Sequence, residues 1–331
     1  MSRTSKRKQQ VLKILHRNQE QYISGQELSD KLGVSRTAIW KYIQSLREQG
    51  YVIDSSSKLG YRLVKAPDIL SPEEIKKDLK TDILGCKVIY HEEVESTNLL
   101  AKSAARQGAD EGTIILAKEQ VGGKGRLGRE YFCPAGGIWF SIILHPDLKP
   151  TVASRINFVA VVALAKTIDK LTDLTPEIKW PNDVLINGKK VTGILTEMSA
   201  EIEQINYLVL GIGINLNIGL DKFPSELQKK ATSIQEELGQ KVPKLQFFLT
   251  LLENLEEKYT KLQIEGFAEI VEEWEDYNIT IGNEVTVSNG EGTLSGQAVD
   301  INDEGCLLVE LSDGTIKKVV AGEATLNTEY N

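Results

Sequence analysis

The chain of 331 residues is 41% hydrophobic and 26% charged, the composition of an ordinary soluble globular protein of two or three domains. No apolar run reads as a bilayer span, and the Arg/Lys-rich N-terminus lacks the apolar stretch of a secretory signal, which excludes a membrane anchor or export. The net charge of −8 conceals a split, because residues 1–66 carry 13 Lys+Arg against 5 Asp+Glu and the remainder carries 26 against 42. A basic head on an acidic body points to a nucleic-acid partner for the head alone. Cys86, Cys133 and Cys306 are scattered, in no metal or redox spacing, and predict a reduced cytoplasmic home.

Residues 8–18 place Val11, Leu12, Ile14 and Leu15 at helical spacing. Ser24 caps a short helix that ends near Leu32, Gly33-Val34 turns the chain, and Ser35 caps a second helix from Arg36 to Gln49. Two short helices around a turn glycine predict a helix-turn-helix. Its second helix shows Ser35, Arg36, Thr37, Trp40, Lys41 and Gln44 on faces that can reach phosphates and base edges. Residues 51–54 and 61–64 then read as the hairpin of a winged helix, closing a domain at 1–66.

Ala66-Pro67 to Ser71-Pro72 is the predicted boundary, with two prolines in polar surroundings. Residues 67–277 read as an α+β sheet domain: a strand at Lys87, a helix from Leu99 after Ser96-Thr97-Asn98, and strands from Thr113 and Ile138. A long core helix over Val152 to Leu171 follows. Strands then flank Asn187-Gly188, the strongest short hairpin signal in the chain. The strand Tyr207 to Asn217 carries Gly211 and Gly213, which leave room on one face. Leu245 to Tyr277 is helical with a break near Gly266, and 278–331 turns to short strands with glycine turns, a small β-barrel.

Gly122 to Arg129 holds four glycines and three cations in eight residues. The glycines let the backbone approach a ligand and the cations suit carboxylate and phosphate oxygens. A literal G-x-G-x-x-G runs from Gly123 to Gly128, but an apolar strand rather than a helix follows it, which excludes a dinucleotide fold. With Lys179 and Lys190 the loop gathers cations with no Ser/His/Asp triad, a pattern suited to phosphoryl or nucleotidyl transfer. Trp180, Ile194, Leu195 and Ile212 could bury a bicyclic ring and its alkyl chain.

Gly123-Lys124-Gly125-Arg126-Leu127-Gly128-Arg129, with Lys179-Trp180-Pro181-Asn182-Asp183 and Lys190-Val191-Thr192-Gly193-Ile194-Leu195, resembles the biotin–protein ligases. The winged helix in front resembles the bifunctional form, ligase and biotin operon repressor in one chain. That resemblance implies an α+β fold: a winged helix, a central mixed sheet like that of class II tRNA synthetases, and an SH3-like C-terminal barrel. It implies ATP, biotin and Mg2+ as ligands, biotin carboxyl carrier protein and operator DNA as partners, and a homodimer. By the same resemblance Ser96, Thr97, Asn98, Gln120, Lys124, Gly125, Arg126, Lys190 and Gly193 hold biotin. Arg126, Arg129, Tyr131, Lys179, Asn182 and Asn215 meet the adenylate. Arg126, Lys179 and Lys190 are catalytic, and Asp183 neighbours the metal. The family usually has arginine where Lys124 stands and tryptophan near Tyr131. Two other functions stay open on the residues: a repressor whose sheet domain only senses a ligand, and a lipoate-type acyl ligase.

Overall fold

The structure, a computed structural model, describes residues 3–18, 21–289, 292–320 and 322–326. The chain divides into two units, Met1–Lys77 and Asp78–Asn331. In the first, α1 (Arg3–Arg17), α2 (Gly25–Leu32) and α3 (Arg36–Glu48) precede the hairpin β1 (Val52–Ser56) and β2 (Gly60–Lys65). Ser24 Oγ accepts the Glu27 N–H at 3.0 Å and Ser35 Oγ accepts the Ala38 N–H at 3.2 Å, so each helix starts at a side-chain cap. Gly33 ends α2 at φ 60, in the left-handed region. Val11, Leu15, Leu28, Ile39 and Ile43 are fully buried between the helices. The unit runs past Ala66-Pro67 because a further helix, α4 (Pro72–Asp78), belongs to it. Glu74 is buried there, 2.6 Å from His16 Nε2 and 3.0 Å from the Tyr51 hydroxyl.

The second unit opens with β3 (Lys87–Val94), α5 (Thr97–Arg106), β4 (Thr113–Gln120), β5 (Ile138–Leu144) and α6 (Arg155–Leu171). It continues through β6 (Glu177–Lys179), β7 (Asp183–Ile186), β8 (Lys189–Ala200) and β9 (Ile205–Ile214). These strands form a seven-stranded sheet in the order β3-β4-β5-β9-β8-β7-β6. Hairpins dominate, as the sequence predicts, but β3 and β4 are parallel and α5 carries the crossover between them. Asn187 (φ 51) and Gly188 (φ 71) form the turn between β7 and β8, both left-handed as a two-residue hairpin of this kind requires.

One segment, Pro150–Leu171, is long and apolar enough for a bilayer span by length and composition alone, with an 18-residue window of mean hydropathy 1.4. Its apolar surface is instead consumed by the fold. Ile156, Val159, Ala160, Ala163, Leu164 and Ile168 are all buried, and α6 packs against the last two of the three helices that follow. Those three are α7 (Ile234–Leu238), α8 (Lys244–Ile264) and α9 (Ala268–Glu275), with the predicted break at Gly266, φ 97. One carboxylate ties three helices together. Glu273 Oε1 accepts from Lys258 at 3.0 Å and Lys261 at 2.9 Å, and Lys166 pairs with Oε2 at 2.5 Å. Burial alone would raise its pKa, but the lysine hydrogen bonds prevail and hold it down at about 2.

The C-terminal strands β10 (Glu284–Asn289), β11 (Gly292–Ile301), β12 (Leu307–Glu310), β13 (Ile316–Val319) and β14 (Glu323–Leu326) make a five-stranded antiparallel sheet, the small barrel-type module. It anchors the turn between β6 and β7. Trp180 is buried, with its backbone N–H on Thr280 Oγ1 at 2.9 Å and its indole N–H on the Gly305 carbonyl at 3.2 Å.

Candidate active site

The glycine-rich stretch leaves β4 and folds into a narrow flap. Gly125 N–H donates to the Arg129 carbonyl at 2.7 Å and Tyr131 N–H to the Gly123 carbonyl at 2.9 Å. The tip is a single turn, Arg126–Gly128, in which Leu127 (φ 57) and Gly128 (φ 74) are both left-handed. Glycine adopts that conformation freely, whereas leucine is strained in it. The leucine side chain is 72% exposed, so burial gives nothing back. Beyond the flap the chain enters β5, antiparallel to β4, which is the strand-to-strand connection expected in place of a dinucleotide-binding helix.

Under the flap lies a cleft whose apolar lining includes Phe140, Trp180, Ile194, Leu195 and Ile212. The cationic rim comes from the β6–β7–β8 edge. Lys190 Nζ lies 2.6 Å from Asp183 Oδ1 and Lys179 Nζ lies 3.9 Å from Oδ2. Asp183 Oδ1 is buried without an aligned hydrogen-bond donor, so the short contact to Lys190 is a charge pair. Asn182 clamps the flap to the sheet: its Oδ1 accepts from Arg126 Nη1 at 3.1 Å and its Nδ2 donates to the Ile194 carbonyl at 2.5 Å. Tyr131 lies against the bare backbone of two glycines. A Cβ at Gly193 or at Gly213 would come within 2.6 Å of the ring. Its hydroxyl donates to the Gly213 carbonyl at 3.3 Å, burial pushes its pKa well up, and Lys190 Nζ is 5.9 Å from the ring centroid.

The far end of the cleft is polar. Ser96 holds the N-cap position of α5 but makes no side-chain cap bond, and Gln120 Oε1 takes the Thr97 N–H at 2.7 Å instead. Thr97 and Asn98 are buried and contact Ser141 Oγ at 2.8 and 2.6 Å. Asn98 Nδ2 donates to Glu197 Oε2 at 2.9 Å and to the Leu195 carbonyl at 3.3 Å, and Lys102 Nζ donates to Glu197 Oε1 at 2.5 Å. Gln120 Nε2 reaches Cys133 Sγ at 3.1 Å, and burial pushes that thiol up to about 12.

Three family models match the chain: "Biotin/lipoate A/B protein ligase family" over residues 90–215, "HTH domain" over 7–62 and "Biotin protein ligase C terminal domain" over 280–326. The bifunctional ligase/repressor BirA of Bacillus subtilis is 39% identical, covering 96% of this chain and 97% of that protein. The Escherichia coli protein of the same name is 28% identical over 93% and 94%. Among solved structures, the Aquifex aeolicus biotin protein ligase in complex with biotin and ATP superimposes with a TM-score of 0.64 at 30% identity, covering 73% of this chain and 99% of that one. The chain belongs to the biotin protein ligases. It is of the form that carries a helix-turn-helix domain in front of the ligase.

In this ligase the cleft gathers most of the residues that the sequence singles out. Ser96, Thr97, Asn98 and Gln120 line its polar end, and Lys124, Gly125, Arg126, Arg129 and Tyr131 line the flap side. Lys179, Asn182, Asp183, Lys190 and Gly193 complete the sheet side. Asn215 is not among the lining residues. It is buried, its Nδ2 donates to the Thr232 carbonyl at 3.0 Å, and its Oδ1 has no hydrogen-bond partner, so it fastens the loop after β9. Among the described residues no three His, Cys, Asp or Glu side chains gather as a metal site. Sequence reasoning misses Ser141, Glu197 and Lys102, and also Gly322 and Ala324, which bring the C-terminal module to the cleft wall. Ser141 had a signal, as the one polar residue in the wholly buried strand β5. In the first unit Arg36, Thr37, Trp40 and Lys41 stand exposed on α3, whereas the Ser35 hydroxyl is engaged as a cap. Gln44 is half-buried; with its amide oriented to satisfy its neighbours it accepts from Trp40 Nε1 at 3.3 Å and Arg47 Nη1 at 3.2 Å.

Proposed function

We propose that the chain joins biotin to ATP and passes the product to a carrier protein. A biotin carboxylate oxygen attacks the α-phosphorus, the bond from that phosphorus to the bridging oxygen breaks, and pyrophosphate leaves with biotinyl-5′-AMP remaining. A lysine amine of a biotin carboxyl carrier protein, that of acetyl-CoA carboxylase, then attacks the acyl carbon. AMP leaves and one proton is released.

The obstacle in the first step is repulsion between two anions. Arg126, Lys179 and Lys190 answer it with fixed positive charge placed on one rim of an apolar cleft, where charge acts more strongly than in water. That convergence carries the proposal: three cations from separate elements, two of them on one aspartate and the third on the neighbouring Asn182. The apolar lining takes the ring and valeryl chain, and the end formed by Ser96, Thr97, Asn98 and Gln120 takes the polar ring head. Tyr131 offers a face to the adenine, and Arg129 and Lys124 close the flap side. A closed flap keeps water from the mixed anhydride. Mg2+ would neutralise the phosphates, with Asp183 as its single protein ligand. One carboxylate between two lysines suits an ion carried in on the nucleotide, not one caged by the protein.

In the first unit, α3 presents Arg36, Thr37, Trp40 and Lys41 as a recognition helix. Two copies would read two half-sites of an operator, with flap ordering by the adenylate biasing dimerisation. The decisive experiment is biotin-dependent exchange between pyrophosphate and ATP. Exchange with biotin that excess lipoate does not suppress is expected. No exchange would reduce the second unit to a sensor, and exchange with lipoate alone would move the chain to the acyl ligases.

A further inference from the structure

We propose that Trp40 is a fixed apolar reader of a thymine methyl group in the major groove, and that Gln44 is the positioning residue that makes it so. This rests on α3 being the recognition helix of an operator-binding head.

Trp40, Gln44 and Arg47 are neighbours on α3, because residues three and four apart share a helix face. The indole of Trp40 has one donor and no acceptor, and the guanidinium of Arg47 has donors only. The Gln44 atom turned toward both must therefore be its oxygen. It accepts from Trp40 Nε1 at 3.3 Å and from Arg47 Nη1 at 3.2 Å. Arg47 is held in turn, since its Nε and Nη2 donate to the Ile53 carbonyl at the start of β1, at 3.2 and 2.7 Å. These bonds run from the hairpin out to the exposed face of α3. Their direction is fixed, because neither the indole nor the guanidinium can accept.

The Gln44 oxygen has two lone pairs, and both are used. A bidentate grip on adenine needs that oxygen for the N6 amino group, so the usual base contact of a glutamine is closed to Gln44, which keeps N–H donors only. The indole N–H is likewise spent, and what Trp40 presents is hydrocarbon alone. Trp40 is 52% exposed, whereas Ile39, Ile43 and Leu46 of the same helix are buried. Exposed Arg36, Thr37 and Lys41 flank it, side chains suited to hold the helix against phosphates. In the major groove the apolar feature of a base edge is the C5 methyl of thymine. A ring with no free polar atom, held still between two cations, is the complement of that methyl and of no other base edge.

The test uses the full chain with biotin and ATP, at salt low enough for every variant to bind, each variant first shown to unfold like the wild type. Selection from a random duplex library supplies the half-site. Each thymine of one half-site is then replaced singly by deoxyuridine, which removes the methyl and keeps every hydrogen-bonding atom. One such replacement should weaken binding about fourfold, the share of one buried methyl. In Trp40→Ala the same replacement should cost less than about 1.5-fold. In Gln44→Leu, which frees the indole, the step should fall below about twofold. Gln44→Glu restores both acceptors and should bring back the full step, although its charge weakens binding to both duplexes. A half-site with no deoxyuridine-sensitive thymine, or a step that survives in Trp40→Ala, would overturn the methyl contact. A full step in Gln44→Leu would overturn the positioning role. A wild-type chain that enriches no sequence would instead end the operator reading, so the failures are distinguishable.

Discussion

The two ends of the cleft are built by opposite means. The polar end is wired before any ligand arrives: Thr97, Asn98 and Ser141 are buried, and each hydrogen bond constrains the next. The flap is an exposed excursion, open from Leu127 to Glu130, and hydrogen bonds across its stem hold it together. A rigid end can discriminate, because a mismatched proton has nowhere to go. An exposed loop with a strained tip can instead move over a charged intermediate and off it again. On the proposed function, selection would belong to the polar end and retention of the intermediate to the flap.

Removing Arg126 is the harshest way to break that division. Arg126→Ala should lower kcat for exchange about 10²-fold or more while the KM for biotin changes much less. An equal loss in both would put Arg126 with the wired end. Next comes Gly211→Ala, whose new methyl would sit 2.1 Å from Asn98 Oδ1 and displace the amide. Its KM for biotin should rise on the order of 10-fold with exchange at saturation largely kept. A purely kcat-driven loss would show that the wired end shares in the chemistry. The mildest probe lies away from both regions. Glu273 is held at about 2, below the ordinary carboxyl value of 4.5, so its stabilising share is complete above pH 4.5 and is lost as pH falls toward 2. Thermal unfolding should track that loss, and Glu273→Gln should flatten part of the acid slope and lower Tm at pH 7 by on the order of 5 °C. A changed KM for biotin in that variant would mean the core network reaches the cleft.

Much of this was legible in the residues. Asn187-Gly188 marks its turn by needing two left-handed residues, and Ser24 and Ser35 mark helix starts by supplying the missing acceptors. The flap declared itself because glycines and cations seldom alternate without a ligand to approach. Lys102 and Glu197 were not legible. They lie far apart in sequence and meet only through the pairing of β8 in the sheet and the packing of α5 on it, and a single Lys or Glu in a chain with 26% charged residues carries no signal. The hydrogen bond from the Asn215 amide to the Thr232 carbonyl is likewise a side-chain fact that its place at the end of β9 does not give. The apolar helix α6 shows the same limit, since its composition is that of a membrane span and only its neighbours make it a core helix.

The carboxylate of Glu74 has one more effect. It sits on a helix that looks like the start of the ligase, yet its acceptor is what His16 and Tyr51 reach for inside the first unit. A fragment severed after Ala66 would keep every residue expected to touch an operator and still lose the carboxylate that the Tyr51 hydroxyl and the His16 ring meet. The first compact unit is therefore longer than its helix-turn-helix and hairpin, and it runs to Lys77.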